Sequence, residues 1–195
     1  MPQVIDLRCA NDGAPVSIDD KICKYCNQPV VISSFNSVYS MDMPMVNKYI
    51  QRDRKALSEN PDNLDLNTSI AMCYLKLKLY DKALPAFEKA IEDNFDNSET
   101  FFYAAVSLLK GKKAFLASRT DIDKAQEYIN AALMIEPRGI YHYFLAYIKH
   151  DYFERRYLNT TPTWQETLQT ATDTGVSDAD TEQLFAVLGV QQPDW

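Results

Sequence analysis

The chain has 195 residues, 46% of them hydrophobic and 12% aromatic, with a formal net charge of −7. This composition excludes global disorder. The acidic balance disfavours general nucleic-acid binding, because phosphates need Lys and Arg to displace their counterions. Eight acids between Asp151 and Trp195 face only Arg155 and Arg156, and solubility is the simplest use of that excess. The start, MPQVIDLRC, lacks the basic-then-apolar pattern of a signal peptide, and no 18-residue apolar run occurs. Membrane insertion is therefore not expected, and a cytoplasmic location is. Cysteines stay reduced there, so clustered ones suggest a metal before a disulfide. Only five glycines, with helix-period patterns along most of the length, predict an all-α body.

Residues 1–32 carry an internal repeat. Cys9, Asp12, Gly13, Pro15 and Val16 align with Cys23, Cys26, Asn27, Pro29 and Val30, each 14 residues on. Gly13 and Asn27 are residue types that tolerate positive φ, which a metal-binding knuckle needs just after its second ligand. Val4-Ile5 and Val30-Val31-Ile32 are predicted as short strands. The pattern resembles a zinc ribbon, in which two Cys-x-x-Cys-Gly knuckles hold one Zn²⁺. The resemblance implies a structural Zn²⁺ bound by Cys9, Asp12, Cys23 and Cys26, with Asp12 standing where the ribbon has a cysteine. An Asp oxygen is an accepted zinc ligand, and four protein ligands leave no open position for catalysis. The alternative is a degenerate ribbon without metal.

Residues 33–43 are polar and read as a linker. Asp42 before Pro44 signals a helix start, with a helix over 44–59 carrying Val46, Tyr49, Ile50 and Leu57 on one side. Asp53 is expected on its outer, partly solvated face. Asn60-Pro61-Asp62-Asn63 reads as a turn. Residues 64–97 then read as two helices, with small residues at Ala71, Ala83 and Ala90 and large ones at Tyr74, Tyr80 and Phe87. Small side chains let helices approach closely, and the large ones fill the gaps. This 34-residue spacing resembles a tetratricopeptide repeat (TPR), a helix–turn–helix unit of stacked arrays. Asn67 stands where the family prefers Trp, and Phe95 where it prefers Pro. Ala56 lies 34 residues before Ala90, so helix 44–59 reads as an orphan second helix ahead of the first full repeat.

A second repeat is expected over 98–137. Phe101, Ala104, Ala105 and Leu108 mark its first helix, and Ala125, Ile129 and Ala132 its second, from Asp121 to Ile135 with Thr120 as the N-cap. Eight extra residues fall within 111–120 (GKKAFLASRT), at the bend. A divergent third repeat and a capping helix are expected over 138–195. Their helices are 140–156, 164–171 and a last one from Ser177 or Asp178 through Val190.

Catalysis finds no support. His142 and His150 are eight residues apart on one predicted helix, rotated by about 80°, and do not converge. No Gly-rich phosphate loop, Gly-x-Ser-x-Gly or His-Glu-x-x-His motif is present. Cys73, mid-helix, is expected as an inert packed thiol. The TPR resemblance instead implies a protein-binding groove lined by Thr68, Met72 and Leu75, by Phe102, Val106 and Leu109, and by Tyr143 and Tyr147. Thr68 and Met72 replace the Lys and Asn of the chaperone-carboxylate clamp. An amphipathic helix or an extended apolar peptide is thus the expected ligand, unless the last helix fills the groove itself.

Lys110, Lys112, Lys113 and Arg119 surround Phe115-Leu116 in the insertion. They read either as a basic contact or as a solvated bend folded back on the core. The expected fold is a zinc-ribbon-like β module joined to an all-α TPR-type superhelix of seven or eight helices. The expected function is that of a non-enzymatic adaptor or scaffold. The alternative is a nucleic-acid-associated factor acting through the ribbon and the basic insertion.

Overall fold

The computed structural model describes residues 6–92 and 95–195. Two strands, β1 (Asp6–Arg8) and β2 (Pro15–Ser17), pair antiparallel with Arg8 opposite Pro15. A single bridge pairs Ile22 with Pro29, each 14 residues on from that pair. The internal repeat of the sequence is thus a repeat of geometry. Strand structure does not extend to Val30-Val31-Ile32 as predicted. Val30 and Ile32 are instead buried outside any strand, and Val4-Ile5 lie outside the described residues.

Among the described residues there are nine α-helices: α1 (Phe35–Tyr39), α2 (Met43–Glu59), α3 (Leu64–Lys76), α4 (Tyr80–Ile91), α5 (Ser98–Leu108), α6 (Arg119–Ile135), α7 (Gly139–Ile148), α8 (Trp164–Asp173) and α9 (Asp178–Leu188). The architecture is all-α with a small two-stranded sheet. The chain divides into two units, residues 1–94 and 95–195.

In the first unit α3 packs on α2 and α4. Ala71, Ala83 and Ala90 are buried with Phe87, as close helix approach requires. Asp42 and Asn63 cap α2 and α3, each side chain accepting a backbone N–H three residues on. The stretch expected as a linker holds α1, whose Phe35 and Val38 are buried and which packs on α3. The hydrophobic cluster of the N-terminal module, with Leu7, Cys9, Val16, Cys23 and Val30, includes Leu66 of α3.

Asp53 is a correction to the sequence reading: it is 0% exposed rather than solvated. Its carboxylate accepts from Arg52 Nε at 2.8 Å and from Ser69 Oγ at 2.6 Å. Arg52 Nη1 also donates to the Val30 carbonyl, and Ile32 N–H donates to Ser69 Oγ at 3.1 Å. Burial raises the Asp53 carboxyl above its ordinary pKa, while Arg52 and the Ser69 hydroxyl pull the other way. This polar network joins α2 and α3 to the end of the N-terminal module.

In the second unit α5 packs on α6, α6 on α7, and α7 on α8. Ala104, Ala105, Ala125, Ile129 and Ala132 are buried in these contacts. The cap of α6 is Ser118 rather than the expected Thr120: its side chain accepts from Asp121 N–H, which starts the helix earlier. The single helix expected over 140–156 is instead α7 followed by a π-helical turn (Lys149–Phe153) and a 3₁₀ turn (Glu154–Arg156). Gly139 opens α7 where α8 ends. A Cβ there would lie 2.6 Å from Val176 N and 2.8 Å from Ala171 O, both backbone atoms that cannot rotate away. Gly139→Ala should therefore cost about 3 kcal/mol by forcing the helices apart, readable as a lower urea midpoint at an unchanged m-value.

Candidate functional site

Two sets of residues are expected to carry function, and the structure brings the first of them together. The first is the pair of knuckles. Cys9 N–H donates to Ala14 O at 2.8 Å, and Gly13 N–H donates back to Cys9 O at 3.0 Å. Cys23 N–H donates to Gln28 O at 2.8 Å, and Asn27 N–H to Cys23 O at 2.8 Å. The same five-residue turn is built twice. Gly13 (φ +75°) and Asn27 (φ +57°) take the left-handed conformation that the turn demands.

The turns aim Cys9, Asp12, Cys23 and Cys26 at one point, with their ligand atoms all within 4.8 Å of one another. Cys9 Sγ lies 3.5 Å from Cys26 Sγ, and Cys23 Sγ lies 3.6 Å from Asp12 Oδ2. This group can hold a metal ion. The Ala14 N–H bonds Asp12 Oδ1 at 3.0 Å and is the main reason the Asp12 carboxyl sits below its ordinary pKa. Backbone hydrogen bonding, led by Tyr25, lowers the Cys23 thiol, whereas burial raises Cys9 to about 11.

The second set is the expected groove. Thr68, Met72, Leu75, Phe102, Val106, Leu109, Tyr143 and Tyr147 are all buried. In the first unit α1 packs on α3, and Lys76 Nζ donates to the Tyr39 carbonyl at the end of α1. In the second unit α9 packs on α5 and α7. Phe185 of α9 meets Tyr147 edge-on at 5.2 Å and Tyr143 at 6.2 Å. The segment after α9 continues the cover. Trp195 lies 5.4 Å from the Tyr143 ring, and Trp195 Nε1 and Gln192 Nε2 donate to Tyr143 Oη at 3.1 and 3.2 Å. Phe102 packs inward on Tyr141 and Phe144.

The insertion folds back. Residues Ala114–Leu116 form a 3₁₀ turn with Ala114 buried. Phe115 N–H donates to Asp151 Oδ2 at 2.8 Å, and Arg155 and Arg156 lie over the Phe115 ring at 4.3 and 4.8 Å. Lys110, Lys112, Lys113 and Arg119 remain exposed, with Arg119 paired to Asp123 at 2.8 Å. Lys113 and Tyr147 line one cavity of about 210 Å³ with Asp151 and Gln192. The histidines do not converge: His150 packs on Trp164 and Trp195, while His142 lines a separate cavity. Cys73 is buried, and that burial raises its thiol pKa.

Residues 64–97 match the family model for the tetratricopeptide repeat. The match coincides with the α3–α4 pair and its buried alanines. The solved structure MamA MSR-1 C2 is similar in fold, with a TM-score of 0.50 at 17% identity over 72% of this chain and 86% of that one. MamA AMB-1 P212121 has a TM-score of 0.49 at 20% identity over 76% of this chain and 84% of that one. No curated protein matches the chain. Among the described residues no helix is long and apolar enough to cross a membrane.

Proposed function

We propose that this protein is a non-enzymatic protein–protein interaction scaffold that binds a helix or peptide of a partner on its apolar repeat face. The tetratricopeptide repeat at 64–97 carries the reading. The α9 helix supports the choice of ligand, since an amphipathic segment already lies against Tyr143 and Tyr147. A partner at Tyr143 and Tyr147 would take the place of α9, whereas Phe102 faces inward. Free thiols at all four cysteines fit a reducing, cytoplasmic setting.

The N-terminal module adds a structural Zn²⁺ held by Cys9, Asp12, Cys23 and Cys26. Zinc–sulfur bonds of about 2.3 Å and zinc–oxygen bonds of about 2.1 Å set tetrahedral edges of roughly 3.5–3.8 Å. The Cys9–Cys26 and Cys23–Asp12 separations of 3.5 and 3.6 Å lie near that figure, and with the whole set within 4.8 Å small side-chain shifts would close the site on an ion. Bound there, the ion would clamp the two knuckles together.

Capture from the source organism's lysate tests the scaffold reading, using wild type, Phe185→Asp and Phe185→Asp/Tyr143→Asp, each verified as folded by circular dichroism. Tyr143 contacts α9 and the segment after it, so the double variant frees the face and also spoils it. The expected result is a protein partner enriched by the single variant and lost in the double one. Capture indifferent to both changes, or nucleic acid in place of protein, would overturn the groove reading.

A further inference from the structure

Three helices of the second unit each turn a polar stripe toward one cleft. Gln126 and Asn130 come from α6 at i, i+4. His142 and Lys149 come from α7 and the π-helical turn at i, i+7. Thr167 and Thr170 come from α8 at i, i+3. These side chains line a cavity of about 360 Å³, within the size range of small-molecule pockets. Among the described residues no Asp or Glu lines it, although the chain carries 27 such residues.

Lys149 is the unusual member. It is 5% exposed, yet among the described residues its ammonium makes no ion pair. Nζ donates to the Pro162 carbonyl at 2.7 Å and to Thr167 Oγ1 at 3.0 Å, both neutral acceptors. An ammonium has three N–H donors, so one is left over. The acid that acts on it electrostatically, Glu166, is exposed and engaged with the Thr163 N–H and hydroxyl at the start of α8. The other lining groups from α6 and α8 are neutral. Burial lowers the pKa of both Lys149 and His142, and the Lys149 charge lowers His142 further. A buried cation without a counter-charge is costly, and an anion in the cavity would relieve that cost for both groups.

We propose that this cleft is a binding site for a small molecule bearing an oxyanion, seated on the free Lys149 N–H with His142 and the amides of Gln126 and Asn130 around it. The site is independent of the repeat face and of the metal centre. Phosphate and carboxylate groups share the chemistry, and inorganic phosphate and acetate serve as separate probes. Ring resonances of His142 are followed by NMR during titration with each, and His150, packed edge-on against two stacked tryptophans, serves as the internal reference.

The expected result is a saturable shift at His142 with at least one probe, an upward move of its titration midpoint, and a still His150. Saturation by phosphate alone assigns a phosphoryl ligand, and by acetate alone a carboxylate. Lys149→Met should weaken binding about tenfold or more, the weight of one charge-assisted hydrogen bond. Asn130→Asp, at an exposed position of the lining, should do likewise in a chain whose packing is untouched, which covers the case in which Lys149→Met fails to fold. Absence of saturation by either probe up to tens of millimolar, or unchanged affinity in Asn130→Asp, would overturn the proposal.

Discussion

Cys23→Ser, or exhaustive chelation of the wild type, is expected to release one zinc per chain and to unfold the knuckles. The reason is size. The core of the N-terminal module consists of Leu7, Cys9, Val16, Cys23 and Val30 set against Leu66, with partly buried Ala14, Ile18 and Val31 around it. Segments below about 40 residues seldom hold a fold on so little apolar area without a metal or disulfide. The cysteines form no disulfide among the described residues, and the Cys9, Asp12, Cys23 and Cys26 group could hold a metal instead. Structural zinc contributes on the order of 10 kcal/mol of apparent folding free energy in small domains, so its loss should exceed any single packing change in this unit. Elemental analysis would give the stoichiometry, and limited proteolysis within residues 9–30 would report the unfolding. Metal-free protein that resists proteolysis as well as the wild type would remove the zinc assignment. Asp12→Cys offers the converse check: a fourth thiolate should tighten binding while leaving the knuckle turns in place.

Asp53→Ala is expected to cost about 3–5 kcal/mol, the range for breaking a buried ion pair from one side. The loss is more than the pair. Among the described residues, Arg52 would keep its charge at a largely buried position with the Val30 carbonyl and the Tyr49 ring face as its remaining partners. Ser69 Oγ would lose the acceptor for its proton. Equilibrium denaturation should show this as a lower midpoint. Arg52→Met/Asp53→Leu, which removes both charges and keeps their volume, should recover most of the loss, since apolar replacement of a buried pair is often close to neutral. A cost below about 1 kcal/mol for Asp53→Ala would mean that water replaces the carboxylate and that the network does not join module and helices as described.

Much of this was legible in the sequence where the signal is local and periodic. Ala71, Ala83, Ala90 and Phe87 are buried where their spacing puts them. The 14-residue offset of the knuckles returns as paired turns with φ positive at Gly13 and Asn27. What the sequence concealed depends on partners far along the chain. Asp53 reads as a surface acid because its hydrogen-bonding partner Ser69 is 16 residues away, and the Val30 carbonyl that shares Arg52 lies 22 residues from that arginine. Helix α1 was hidden because a five-residue helix has too few turns to show a period. Its Phe35 and Val38, three apart, were the available sign. The π-helical turn at Lys149–Phe153 leaves no compositional mark, and the expected capping helix could be named without revealing that Phe185 would land on Tyr143 and Tyr147. Lys149 offers no local clue either, because its neighbours in the cleft come from three helices.

The docking of α9 has a practical corollary. The protein contains two tryptophans, and they stack at 5.5 Å, Trp164 on α8 against Trp195 beyond α9. All of its tryptophan emission therefore originates from one spot, beside the imidazole of His150. Fluorescence becomes a gauge of whether the segment after α9 is seated, and the knuckles and the 64–97 repeat contribute no tryptophan to it. A spectral shift with no change in helical circular dichroism would mark the moment that segment lifts away, with no label attached.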